Sequence, residues 1–172
     1  LDNAVKKRVM GTTEREIACL LSGGLDSSLV TALVNKYYKK LTGNSVNTWS
    51  IGFKGSEDLK FAEQVARYID SNHHSIVVEP DIFLSAIERV IYDIESYDTT
   101  TVRASVGNWL ISKYIKDKSK AKVVFNGDGS DELTGGYLYF HYIRDQLLFD
   151  KECRRLLSDI SYFDVLRSDR SI

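Results

Sequence analysis

The sequence predicts an α/β protein, a doubly wound parallel sheet with helices on both faces, and three observations carry that expectation. Short apolar runs alternate with segments of helical period between residues 17 and 125. The first run is continuously apolar, as in a strand covered on both sides, rather than alternating with polar residues. Two of the runs lead straight into glycine-rich loops, and ligands of such sheets bind at the carboxyl ends of strands.

The elements follow in order. "IACLL" (Ile17 to Leu21) reads as the first strand and ends in Ser22-Gly23-Gly24. From Ser27 the period changes: Leu29, Val30, Leu33, Val34, Tyr37 and Leu41 share one helical face, and Gly43 is a suitable stop. "VNTWSIGF" (Val46 to Phe53) reads as a second strand, and "DLKFAEQVARYI" as a helix through Leu59, Ala62, Val65, Ala66 and Ile69. "HSIVV" (His74 to Val78) is the third strand, and "IFLSAIERVIYDI" an amphipathic helix. "TTTVRAS" is polar and follows a helix, so on its residues alone it reads as a connecting loop, with a further helix from about Ser105 to Lys116. "KVVF" (Lys122 to Phe125) is the fourth strand and runs into "NGDGSDELTGG". Strand alternating with helix is the pattern of right-handed crossovers in one parallel sheet.

Composition excludes several classes. At 172 residues the chain fits one domain, and no proline-, glycine- or serine-rich linker divides it. An apolar fraction of 43% and a charged fraction of 27% are those of a globular protein. The formal net charge of −1 argues against nucleic acid or a membrane surface as the main partner. No apolar run approaches the roughly 18 residues of a membrane span, and no signal-like leader opens the chain. The two cysteines sit in different settings: Cys19 in an apolar run and Cys153 in a charged, helix-like segment. A buried small hydrophobe and an incidental thiol suit a reducing cytosol, so a cytoplasmic location is expected.

The first glycine-rich loop is built for an anion. Glycines let backbone approach a ligand, and the free N–H groups of a new helix point at negative charge. Ser22, Ser27 and Ser28 add hydroxyls. A Walker-type loop would need a Gly-Lys-Ser/Thr ending, which is absent, and the G-x-G-x-x-G spacing of dinucleotide folds is absent too. Asp26 inside a phosphate loop is electrostatically unfavourable unless a cation joins it, and Mg²⁺ bridging Asp26 to phosphate oxygens resolves the conflict. The structural alternative is that Asp26 merely caps the helix.

The second loop places Asp128, Asp131 and Glu132 among four glycines after a strand. It reads either as a solvated acidic turn or as a partner for Asp26 in holding Mg²⁺ against a polyphosphate. His73 and His74 on one strand point to opposite faces, which favours structural roles over a metal pair. The tyrosines of "GGYLYFHY" read as packing residues.

"SGGLDSS" resembles the pyrophosphate loop of the N-type ATP pyrophosphatases, of adenine nucleotide alpha hydrolase-like fold. With "IESYDTTTVRAS" (Ile94 to Ser105) and "GDGSDELTGGYLYFH" (Gly127 to His141), the chain is similar to the synthetase domain of the glutamine-using asparagine synthetases. The resemblance runs from about Ala4 to the C-terminus. It implies that Leu20, Ile51, Asn126 and Gly127 border adenosine, that Ser22, Gly23, Gly24 and Ser27 hold the β,γ-phosphates, and that Asp26 and Asp131 are Mg²⁺ ligands. It further implies that Thr100 and Arg103 handle aspartate, adenylate or pyrophosphate, and that Asp128 stands where the family has a glutamate linked to adenylate formation. The departure keeps the carboxylate but shortens its reach by one methylene.

The activity so implied is ATP-dependent amidation of aspartate to asparagine through β-aspartyl-AMP, with ATP, aspartate and ammonia as partners. Two alternatives stay open on the residues: a non-catalytic adenine-nucleotide-binding module, or an amidotransferase of the same class acting on another carboxylate. Family members that use glutamine carry an N-terminal glutaminase domain with a first-residue cysteine, and a longer C-terminal region. This chain opens on Leu1, so it is expected to be a short or excised synthetase domain partnered by a glutaminase domain or subunit, with room for a homodimer.

Overall fold

The computed structural model describes residues 1–12 and 14–159. Four strands, β1 (Ile17–Leu20), β2 (Asn47–Gly52), β3 (Asn72–Val77) and β4 (Val123–Phe125), form one parallel sheet in the order β3-β2-β1-β4. The register sets Cys19 beside Thr48 on one side and beside Phe125 on the other. Around the sheet lie α1 (Asp2–Met10), α2 (Leu25–Thr42), α3 (Glu57–Ile69), α4 (Pro80–Ile94) and α5 (Thr99–Lys118). After β4 come the short α6 (Ser130–Thr134), a 3₁₀ turn (Leu138–Tyr142) and α7 (Gln146–Ser158).

Alternation along β1 divides the core into two layers. Ile17 and Cys19 pack with Val5 and Val9 of α1 and Val30 and Val34 of α2, while Leu21 just beyond meets Ala62 and Ala66 of α3. Ala18 and Trp49 face the other way, against Ile111 and Ile115 of α5. α4 rides on α5 through Ala86, Val90, Val102, Val106 and Leu110. The sheet is thus covered on both faces, which is why its central strand needs no polar side. Cys19 is fully buried, and desolvation pushes its thiol up to about 12, so it packs as a small hydrophobe. Among the described residues no helix is long and apolar enough to cross a membrane.

Three sequence expectations change. Leu29 and Leu41 are exposed, and the buried stripe of α2 runs through Val30, Thr31, Val34 and Asn35 instead. Asn35 is tolerated there because its amide donates to Ile69 O (2.6 Å) while its oxygen accepts from Val46 N (2.9 Å). Thr99 to Ser105 is not a loop: the Asp98 carboxylate accepts from Thr101 N and Thr101 Oγ1, both at 2.8 Å, and so caps α5 two turns earlier than expected. Tyr142 is exposed and Tyr137 partly so, the side chain of Tyr139 lies outside the described residues, and Phe140 packs against Phe149. Gly43 ends α2 in the left-handed conformation, as expected of a helix stop.

The histidines separate as the pleat requires. His73 bonds Thr48 Oγ1 (2.9 Å) and Ser50 Oγ (3.2 Å), whereas His74 stacks on Trp49 at 4.1 Å. Burial holds the His73 imidazole below its ordinary 6.5, with repulsion from His74 adding to the shift and Glu63 opposing it. The unfolded chain therefore takes up this proton at a higher pH than the fold does. Stability carried by neutral His73 is fully present above about 6.5 and is lost as pH falls through the window below it. Thermal melts between pH 7 and 5.5 should show this drop, and His73→Gln should flatten it; an unchanged slope would refute the assignment.

Candidate active site

The first loop, residues 21–24, leaves β1 and opens α2. Gly23 takes φ +84, and a Cβ there would sit 2.5 Å from both Ala62 N and Phe61 Cβ, so the α3 backbone is pressed against it. The serines brace the turn. Ser22 and Ser27 hydroxyls are 2.9 Å apart, Ser27 Oγ donates to Gly24 O at 3.2 Å, and Gly24 N donates to Ser22 Oγ at 3.3 Å. Gly24 is the N-cap of α2, and no side chain caps the helix. Asp26 lies inside the first turn rather than capping it, which removes the capping alternative. An 18-residue helix thus presents uncapped N–H groups and its positive dipole end at the carboxyl edge of the sheet.

Strand order brings the second loop to the same place. The chain runs outward from β1 through β2 to β3, then returns to place β4 on β1's other side, so the order reverses between β1 and β4. Loops diverging from such a switch point leave a crevice. Here they meet: a Cβ on Gly127 would lie 2.7 Å from Ser27 N and 3.0 Å from Asp26 C and Ser27 Cα. Past that contact Asn126 Nδ2 donates to Asp128 Oδ2 at 2.7 Å, and Ser130 Oγ donates to Gly127 O at 2.8 Å. Gly129 at φ +85 starts α6, and Gly135 at φ +66 ends it beneath the Phe149 ring. The Asp131 carboxylate folds over Gly136, in the space a Cβ would fill, and Gly136 N donates to Asp131 O at 3.1 Å.

The remaining sequence-derived residues fall around this rim. Leu20 ends β1 and Ile51 lies one residue before the end of β2, both half-buried in the cluster around Trp49. α5 leads into a parallel strand and so starts at the carboxyl edge of the sheet, where Thr100 and Arg103 are exposed on its first turns. Sequence reasoning missed two features: the α3 backbone against Gly23, and the bond between Asn126 and Asp128. Adjacent glycines signalled the first, and an amide two residues before a carboxylate signalled the second.

The described residues contain no cluster of three or more His, Cys, Asp or Glu able to hold a metal unaided. Mg²⁺ bound with a nucleotide needs less, taking one or two carboxylates and completing its shell with phosphate oxygens and water. Asp26, beside the uncapped turn, and Asp131, cradled by Gly136, offer hard oxygen donors of that kind. The donor set fits Mg²⁺ delivered with a polyphosphate.

A parallel sheet with a glycine-serine loop and an acidic loop meeting at its switch point is an α/β arrangement of the ATP-pyrophosphatase type. Solved structures agree on the fold. An NH3-dependent NAD synthetase from Campylobacter jejuni matches with a TM-score of 0.53 at 19% identity, over 79% of this chain and 57% of that one. An NAD+ synthetase from Burkholderia pseudomallei matches with a TM-score of 0.50 at 14% identity, over 74% and 53%. The family model described as asparagine synthase matches residues 1–169, and the chain belongs to that family. Asparagine synthetase [glutamine-hydrolyzing] from Mus musculus is 49% identical over 171 residues, and that from Homo sapiens 48%; each match covers 99% of this chain. The chain spans 30% of the length of those relatives.

Proposed function

We propose that these residues form an ATP-using part of an enzyme that amidates aspartate to asparagine. The observation that carries the proposal is the backbone contact of Gly127 with Asp26 and Ser27, which sets an acidic loop directly on a phosphate loop. Relatives at 48–49% identity over nearly the whole chain support the choice of aspartate, since their names are those of asparagine synthetases.

In this reading the uncapped turn of α2, with Ser22, Gly23, Gly24 and Ser27, holds the β,γ-phosphates, and Leu20, Ile51, Asn126 and Gly127 border the adenosine. Asp26 and Asp131 would hold Mg²⁺, which supplies charge neutralisation on the pyrophosphate. An oxygen of the aspartate β-carboxylate bonds to the α-phosphorus as the bond to pyrophosphate breaks, giving β-aspartyl-AMP. Ammonia then bonds to the acyl carbon, AMP departs with the bonding pair, and the nitrogen gives up a proton. Arg103 suits a carboxylate or phosphate partner because its planar fork makes two parallel hydrogen bonds. Thr100 is its neighbour on the same helical turn, and Asp128 places a carboxylate where the adenylate forms. Catalysis of this kind is mostly positioning and electrostatic stabilisation. Ammonia would come from glutamine through a glutaminase domain or subunit, and the reaction would run in the cytoplasm.

The test is product analysis with the full-length protein, ATP, Mg²⁺, aspartate and ammonium. One AMP and one pyrophosphate should appear per asparagine, and neither without aspartate. ADP as the nucleotide product, or ATP binding with no turnover, would refute the reading.

A further inference from the structure

We propose that Asn126 is a positioning residue that sets the Asp128 carboxylate for the reaction. The inference rests on the reading of Asp128 given above. Asn126 is the first residue after β4, and its Nδ2 donates to Asp128 Oδ2 at 2.7 Å, a short bond for an amide. A carboxylate only accepts, so the amide nitrogen must be the atom that faces it.

The backbone between the two residues is fixed from both sides. Gly127 is wedged against Asp26 and Ser27 of the first loop, and its carbonyl accepts from Ser130 Oγ (2.8 Å) and Ser130 N (3.3 Å). What those contacts leave undetermined is the rotation of the Asp128 side chain, which is exposed. Among the described residues no cation forms an ion pair with it. The Asn126 amide supplies the missing constraint. Being neutral, it orients the carboxylate without cancelling its charge, and Oδ1 stays outside the bond. The same carboxylate held by a lysine or arginine would be both oriented and neutralised.

The role separates from ATP contact and from a structural role by kinetics. In the full-length protein, Asn126→Ala should lower kcat for aspartate-dependent AMP formation by about 10- to 100-fold, as expected for a catalytic group about 1 Å out of place. KM for ATP should rise by much less than kcat falls, since a side chain at the adenosine border contributes to binding but the larger loss is in the reaction itself. Asn126→Asp keeps the shape, removes the donor and adds like charge, so it should be at least as slow. Both residues are exposed, and thermal melts should stay at the parent value.

Asp128→Glu supplies the second arm. One more methylene carries the carboxylate about 1.5 Å beyond the place where Asn126 grips it. In the Asp128→Glu protein, adding Asn126→Ala should therefore cost less than about 3-fold, a non-additivity that independent sites do not show. An equal cost in both backgrounds, or a raised KM for ATP at constant kcat, would overturn the positioning role and leave the function intact. Parent-like rates for Asp128→Ala would instead remove the role of Asp128 itself.

Discussion

Gly127→Ala is expected to slow ATP-dependent AMP formation by about 100-fold while the sheet stays folded. The added methyl would meet Ser27 N at 2.7 Å and both Asp26 C and Ser27 Cα at 3.0 Å, all of them backbone atoms that cannot rotate aside. Relief requires the loop after β4 to lift from α2 by something near 1 Å. Its neighbours move with it: Asn126 just before, Asp128 just after, and Ser130, which is tied to Gly127 O. The contact lies at the loop rather than in the core, so the cost to stability should stay at the low end of about 1–3 kcal/mol for overpacking. Steady-state kinetics beside circular-dichroism melts read the two quantities separately. A rate within 3-fold of the parent would mean that the loops part in the working protein.

Gly23→Ala is expected to act on the fold itself. Its φ of +84 costs a residue with a Cβ roughly 1–2 kcal/mol. Its methyl would also overlap Ala62 N, Phe61 Cβ and Phe61 C at 2.5–2.6 Å, adding about 1–3 kcal/mol. The sum is a large share of a typical stability of about 5–15 kcal/mol. Denaturant melts should show the midpoint falling sharply, or no folded baseline. Gly24→Ala is the control: its φ is −69, and the methyl would meet only Ser22 Oγ, at 3.5 Å. Equal losses at the two positions would contradict the account.

The elements that were legible in the sequence are those with a strong local period. Ile17 to Leu21, the helix ending at Gly43 and the run into Phe125 all lie where apolar spacing put them, to within two residues at most boundaries. The start of α5 was hidden because three threonines are poor helix formers, and only the Asp98 cap overrides them. α1 was hidden because its apolar contribution is two valines among charged residues, Val5 and Val9, and these matter only once α2 is beside them. The first loop of the site could be read from its own residues. The contact of Gly127 with Asp26 and Ser27 could not, because it depends on β4 choosing the far side of β1, and spacing carries no strand order. The Asn126–Asp128 bond is local, yet it is a choice of rotamer, which a pattern of residue types does not specify.

The place of β4 bears on the order in which the protein can come into being. β1 and β4 are paired through Ile17 with Val123, the most distant partners in the sheet, whereas β1 joins β2 and β2 joins β3 across short intervals. Distant pairings are the slowest to close, since their loop entropy is lost before their contacts are gained. On the ribosome the residues of the glycine-serine turn emerge long before those that must rest on it. A nascent chain that has reached β3 holds a complete glycine-serine turn and no acidic loop against it. Only when β4 pairs with β1 does the acidic loop come to rest on that turn, so the two loops become one surface late in synthesis.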